Sequence, residues 1–234
     1  FVREHLWREG RLLASWRAGR ASLPGYLDDH AFMLAALIEL QQARWSTGRE
    51  DWAMALGDVL LEQFEDPENG GFFFTAADHE ALIQRPKPFT DDALPSGNGV
   101  AALALNRLGH WVGDERYLQA AERAVRAGAE SIEKSAAAHC ALLTALDEIL
   151  DPPELVVIRA GDDASAAAGS AEGESPAGAG AADKAASCDA AAWRDAAEAG
   201  YHPQRIVFTP EPGAVVGAAP ADDPGPGAWV CRGN

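Results

Sequence analysis

Two stretches decide the fold: MLAALIELQQARWSTGREDWAMAL at residues 33–56 and NGVAALALNRLGHWVGDERYLQAA at residues 98–121. They align at an offset of 65 residues. In each, an apolar helix runs to a glycine, Gly48 or Gly113, and four residues later an aromatic, Trp52 or Tyr117, opens a second helix. Residues 31–40 and 99–108 are apolar nearly all round. By contrast, Trp52, Leu56, Val59 and Leu60, like Tyr117, Ala121, Ala124 and Val125, keep a one-sided helical spacing. A helix apolar all round is buried between neighbours and a one-sided helix covers it, so each unit reads as an inner and an outer helix.

Each unit also has a strand-like prelude. LWREGRLLASWR, with a turn at Glu9-Gly10, and GGFFFTAADHEALIQRPK, with a turn near Asp78, both read as β-hairpins. Repetition of hairpin, inner helix and outer helix implies a closed ring of helical hairpins, because an open stack exposes its inner helices at both ends. AAAHCALLTALDEIL at 136–150 begins a further helical element. After Asp151-Pro152-Pro153 the pattern changes to a small β-α-β appendage: strands in PELVVIRAG, PQRIVFTP and GAWVCRG, and a helix in CDAAAWRDAAEAGY. The Ala/Gly/Ser-rich segment at about 160–187 reads as a flexible loop without a functional role. The expected division is residues 1–150 and 151–234.

Hydrophobic residues make up 47% of the 234-residue chain, enough for one sizeable core and a smaller appendage. The chain opens at Phe1 without an initiator Met and stops just after AWVC, so it reads as a piece of a longer polypeptide. A formal net charge of −17 argues against nucleic acid or anionic lipid as partner and leaves neutral ligands open. No apolar run approaches the roughly 20 residues that span a bilayer. Cys140, Cys188 and Cys231 are far apart with no CxxC pair, which fits neither a disulfide scaffold nor a zinc site. The expectation is a soluble protein of a reducing, cytoplasmic compartment without cofactor or metal, with Cys140 buried in its helix.

The segments before the two inner helices, GYLDDH and FTDDALPSGNG, carry the candidate site. In a ring these equivalent ends converge on one mouth, where unpaired helix N–H groups attract hydroxyl and carboxylate oxygens. Asp28, Asp29 and Asp91 are the candidate catalytic carboxylates, with Asp92 competing, since paired acids divide acid, base or nucleophile roles in glycoside hydrolysis. His30 suits proton transfer in sugar epimerisation, or is a satisfied core histidine. Asp29 and Ser96 stand where N-caps are expected, and capping competes with ligand contact for each. Asn98 has the strongest claim to touch a sugar hydroxyl. Lys87, with Arg85 on the hairpin leading to the rim, is placed to neutralise Asp91. Trp7, Trp16 and Phe72-Phe73-Phe74 either stack on a sugar ring or fill a strand core.

YLDDH, DPENGGFFFT, RPKPFTDDALPSGN and AWVCRG together resemble thioredoxin-domain proteins of the spermatogenesis-associated protein 20 type, over nearly the whole chain outside 160–187. The resemblance implies the later half of an (α/α)6 toroid, similar to six-hairpin glycosidases and N-acylglucosamine 2-epimerases, preceded in the family by a thioredoxin-like domain that this chain lacks. The expected class is therefore mainly α: a partial (α/α)6 toroid with β-hairpin insertions, followed by a small α/β appendage. Asp28, Asp29, Asp91, Pro95, Ser96, Gly97 and Asn98 fall on family motif positions. His30 departs from the family's usual Tyr, and the family's second cysteine after the AYVC-like motif has no counterpart here, which leaves the pairing of Cys231 open. Two functions compete. One is a carbohydrate-binding or carbohydrate-processing domain, glycosidase-like or epimerase-like; the other is a non-catalytic scaffold partnering the absent thioredoxin-like domain.

Overall fold

The computed structural model describes residues 1–80, 83–159, 190–200, 202–211, 214, 216 and 227–232. The loop expected at 160–187 and Cys188 lie outside these residues. The fold is mainly α. A short helix α1 (Val2–His5) leads into a three-stranded antiparallel sheet of β1 (Trp7–Arg8), β2 (Arg11–Arg17) and β3 (Arg20–Pro24), one strand more than the hairpin expected. Then come α2 (Leu27–Ala43), α3 (Thr47–Val59), α4 (Gly97–Val112), α5 (Glu115–Lys134) and α6 (Cys140–Leu150).

The inner and outer roles follow the hydrophobic pattern. Leu27, Ala31, Leu34, Leu37 and Ile38 of α2 are buried, as are Ala101, Ala102, Ala104, Leu105 and Leu108 of α4. On α5 only the stripe of Tyr117, Ala120, Ala121, Ala124, Val125 and Gly128 is buried. Three cross-contacts fix the order and direction of the inner helices. At one end Asp28 of α2 lies against Gly97 of α4, and Gly99 of α4 lies against Ala141 of α6. At the other end the Arg107 guanidinium of α4 bridges Glu39 of α2, at 3.0 Å, and the buried Glu148 of α6, at 3.0 Å. The helices α2, α4 and α6 therefore run parallel in a row, α4 in the middle.

The two glycines of the repeat differ. Gly113 is the left-handed cap that ends α4, at φ 71°, where a side chain would be strained. Gly48 lies inside the first turn of α3, and α2 ends earlier through the extended Arg44. The second prelude is not a hairpin. Between Phe72 and Pro88 the described residues form no named strand; one isolated bridge joins Glu65 to Phe72, and a single bond runs from Phe74 N–H to Pro86 O at 2.8 Å. Asn98 and Arg85 take up backbone groups that a ladder would otherwise pair.

The appendage has the expected β-α-β order. Strand β4 (Glu154–Arg159) pairs in parallel with β5 (Arg205–Phe208) and antiparallel with β6 (Gly227–Arg232), with α7 (Ala190–Glu198) in between in sequence. Phe208 packs on Trp111 and Trp45, with ring centroids 5.1 and 5.5 Å apart, so the sheet shares the helical core. Cys140 is exposed on the first turn of α6, against the expectation of burial, because the apolar stripe of that helix starts at Leu142.

Candidate functional site

The first turns of α2, α4 and α6 meet at one end of the helical row. Gly97 makes the approach of α2 and α4 possible: a Cβ there would stand 2.1 Å from Asp28 Oδ1. Ser96 is the N-cap of α4, its hydroxyl accepting from the Gly99 N–H at 3.2 Å. Asp29 lies three residues into α2 and accepts from the Tyr26 N–H at 2.8 Å, closing the first turn from inside.

Asp91 has a structural partner on each oxygen. Oδ1 accepts the Ser96 N–H of the α4 entry at 2.8 Å, and Oδ2 accepts the Ala141 N–H of α6 at 2.9 Å. Burial opposes its ionisation, but the N–H groups of Ser96, Ala141 and Cys140 and the Ser96 hydroxyl prevail and hold the carboxyl below its ordinary value. One carboxylate thus serves two helix N-termini. Asn98 is fully buried; its Oδ1 accepts the Phe72 N–H at 2.6 Å, and its Nδ2 donates to Phe72 O and Pro88 O, both at 2.9 Å. Both its donors and its carbonyl are engaged by backbone, so its sequence-predicted contact with a sugar has no free group to make it.

Lys87 does not neutralise Asp91. Its Nζ donates to Asp66 Oδ2 at 2.7 Å and to Gly70 O at 2.9 Å, closing the DPENGG turn. The Lys87 ammonium holds the Asp66 carboxyl far below the usual range, with the Asn69 and Glu68 N–H groups adding to it against the penalty of burial. Arg85 lies 4.1 Å over the Phe73 ring and donates to Thr75 O at 2.7 Å. Asp92 is exposed.

His30 points into the core. Its Nδ1 bonds to Tyr26 O at 2.9 Å, its ring lies 5.0 Å from Phe64, and its Nε2 is buried without a partner. Burial lowers its pKa and outweighs the Tyr26 carbonyl, so the ring is neutral at physiological pH. That arrangement is a core histidine.

Asp28 is the exception among the acids. Its Oδ1 is buried with no partner, and burial, reinforced by the charge of Asp29, raises its pKa. Beside it in sequence, Tyr26 stacks on Phe74 at 4.8 Å with planes 10° apart, while Phe72 is wholly buried and Trp7 packs on Trp52. The structure therefore gathers Asp28, Asp29, Asp91, Ser96 and Asn98 at one end, while Lys87 is committed to Asp66 and Gly70 and the His30 ring to Tyr26 and Phe64. Sequence reasoning missed the third member of the rim, α6: the buried His139 stands at its N-cap position without a side-chain cap bond, its Nδ1 2.7 Å from Ser135 O and its Nε2 3.4 Å from Thr90 Oγ1. The AHC stretch carries no capping signature that would have marked it.

Two cavities lie elsewhere. One of about 670 Å³ lies between α7 and the appendage sheet, and an apolar groove of about 390 Å³ runs between α5 and α6, lined by Val125, Ile132, Leu146, Ile149 and Leu150. Among the described residues no three His, Cys, Asp or Glu side chains gather as a metal site would require, and no helix is long and apolar enough to cross a membrane.

Spermatogenesis-associated protein 20 of mouse is 33% identical to this chain over 129 residues, covering 50% of the chain and 16% of the relative. The human protein of the same name is 31% identical over 129 residues with the same shares. The chain is related to spermatogenesis-associated protein 20. The match spans half of this chain, less than the motifs led us to expect, and 16% of the length of each relative. No protein-family model matches.

Proposed function

We propose that this chain is a non-catalytic helical module of a larger protein, an arc of an (α/α)6 toroid that supports the thioredoxin-like domain the resemblance implies. One observation carries this reading. At the rim where a toroid enzyme would hold its substrate, Asp29, Asp91, Ser96 and Asn98 are bonded to the chain's own backbone. A group committed to a helix end or a buried carbonyl is a poor acid, base or ligand donor, because releasing it would leave the backbone group unpaired. Free thiols at Cys140 and Cys231 suit the cytoplasm.

A second reading, a carbohydrate-binding or carbohydrate-processing site, rests on Asp28. A carboxyl with a raised pKa and an unpartnered oxygen is what a general acid needs, and the Tyr26–Phe74 stack beside it offers an aromatic face. Thermal shift of the full-length protein against a panel of mono- and oligosaccharides separates the two. A sugar present at 100 times its Kd adds about 2.7 kcal/mol of stability. The scaffold reading expects no shift with any sugar and binding of a separately expressed thioredoxin-like domain. A shift abolished by Asp28→Asn would replace it with the carbohydrate reading.

A further inference from the structure

The N-terminal sheet departs from the charge pattern of the rest of the molecule. Both of its turns have two successive residues at positive φ, Glu9 and Gly10 at 50° and 74°, Ala18 and Gly19 at 50° and 78°, the tight geometry that fixes strand register. In that register Arg8 faces Arg11 across the first turn and Arg17 faces Arg20 across the second. Alternation along the strands puts all four arginines on one face of the sheet, with Ser15 and Ser22 between them joined Oγ to Oγ at 3.0 Å. Like charges directly opposite on paired strands are destabilising. Of the four, Arg11 pairs with Asp78 at 2.8 Å, and among the described residues Arg8, Arg17 and Arg20 have no ion pair. This occurs in a chain with 36 acids to 19 bases, where Arg107, Arg116, Arg123 and Arg205 each have an acidic partner.

We infer that this arginine face binds an extended acidic segment of polypeptide. Guanidinium groups fork carboxylates in bidentate fashion, and Arg17 with Arg20 places two forks side by side. Strand β3 is an edge of its sheet, so a polypeptide finds unpaired backbone there as well as charge. Arg11 and Arg17 are about 20 Å apart along the strand, the reach of six extended residues. Nucleic acid is disfavoured because the net charge of −17 repels a dense polyanion beyond the local patch, whereas a short acidic segment is attracted within a screening length of about 8–10 Å.

The test measures fluorescence anisotropy of a labelled peptide alternating Glu and Thr, with the full chain at about 0.1 M ionic strength. A Gln-for-Glu peptide and a short single-stranded oligonucleotide serve as competing probes. The Glu peptide should bind, the Gln peptide should not, and the oligonucleotide should bind more weakly. The double variant Arg17→Ser/Arg20→Ser should weaken the Glu peptide about tenfold or more, since two charge-assisted contacts are lost. The double variant Arg126→Ser/Lys134→Ser, which removes an equal charge from the exposed side of α5, should leave binding unchanged. Because the Arg17/Arg20 variant relieves a repulsion, its melting temperature should be unchanged or higher, which separates lost binding from lost folding. The inference is overturned if the Arg17/Arg20 variant binds as the parent does, if the Gln peptide binds equally well, if the oligonucleotide binds as tightly or more so, or if no acidic peptide binds.

Discussion

Asp91→Ala removes the acceptor that the entries of α4 and α6 share, and its cost can be worked from the two bonds. The Ser96 N–H at 2.8 Å and the Ala141 N–H at 2.9 Å each donate to a separate oxygen of an ionised carboxylate. Bonds to charged groups are worth roughly 1.5–3 kcal/mol each, and Asp91 is only partly buried, so water replaces some of what is lost. Taking the lower figure twice gives about 3 kcal/mol. For a chain of this size that corresponds to a fall in Tm of roughly 6–12 °C. Denaturant melts of parent and variant at neutral pH measure it. The pH dependence follows from the lowered pKa of Asp91, relative to an ordinary value of 3.8. A carboxyl whose pKa is depressed by folding stabilises fully above its ordinary value and loses that contribution as the pH falls towards its folded value. The gap between parent and variant should be constant above about pH 5 and shrink below pH 4. A loss under about 1 kcal/mol, or a gap that does not shrink in acid, would refute the clamp.

Three other substitutions follow from the same joint. Asn98→Ala leaves the buried Phe72 N–H and the Phe72 and Pro88 carbonyls without partners and should cost about 3 kcal/mol or more in a urea melt. Gly99→Ala puts a Cβ 2.6 Å from Ala141 Cβ and 2.8 Å from Leu142 N, so α4 and α6 must move apart; the expected loss is about 1–3 kcal/mol by calorimetric melting. Asp28→Asn should behave oppositely. Burial raises the pKa of Asp28, so the ionised form is disfavoured at neutral pH, and the variant should melt at the parent's temperature or above at pH 7, with the difference vanishing in acid as the parent becomes protonated.

The helical frame was legible because its cause is local. All-round and one-sided apolar patterns report how many neighbours a helix has, and Ser96 capped α4 as the PSGN stretch indicated. The roles at the rim were not legible, because the partners are distant in sequence. Asp91 read as a catalytic carboxylate, yet one of its donors is the Ala141 N–H, fifty residues on. Asn98 looked available because Phe72, its main partner, lies twenty-six residues back. The same pairing explains the missing second hairpin: alternation in GGFFFT cannot tell whether a backbone N–H meets a strand or a side chain. Lys87 was assigned to the nearest acid in sequence, whereas the DPENGG turn folds Asp66 back to it.

The central claim is that the rim is a structural joint made by the chain itself, and amide hydrogen exchange at Phe72, Ser96 and Ala141 tests it most directly. First-turn amides of ordinary helices lack an acceptor and exchange through local fraying. Here the three N–H groups donate to Asn98, Asp91 and Asp91, at 2.6, 2.8 and 2.9 Å. The account predicts that all three are protected in the parent and unaffected by added sugars, and that Asp91→Ala releases Ser96 and Ala141 while Phe72 stays protected. Rapid exchange at Ser96 and Ala141 in the parent, slowed when a sugar is added, would contradict it and return the rim to a ligand.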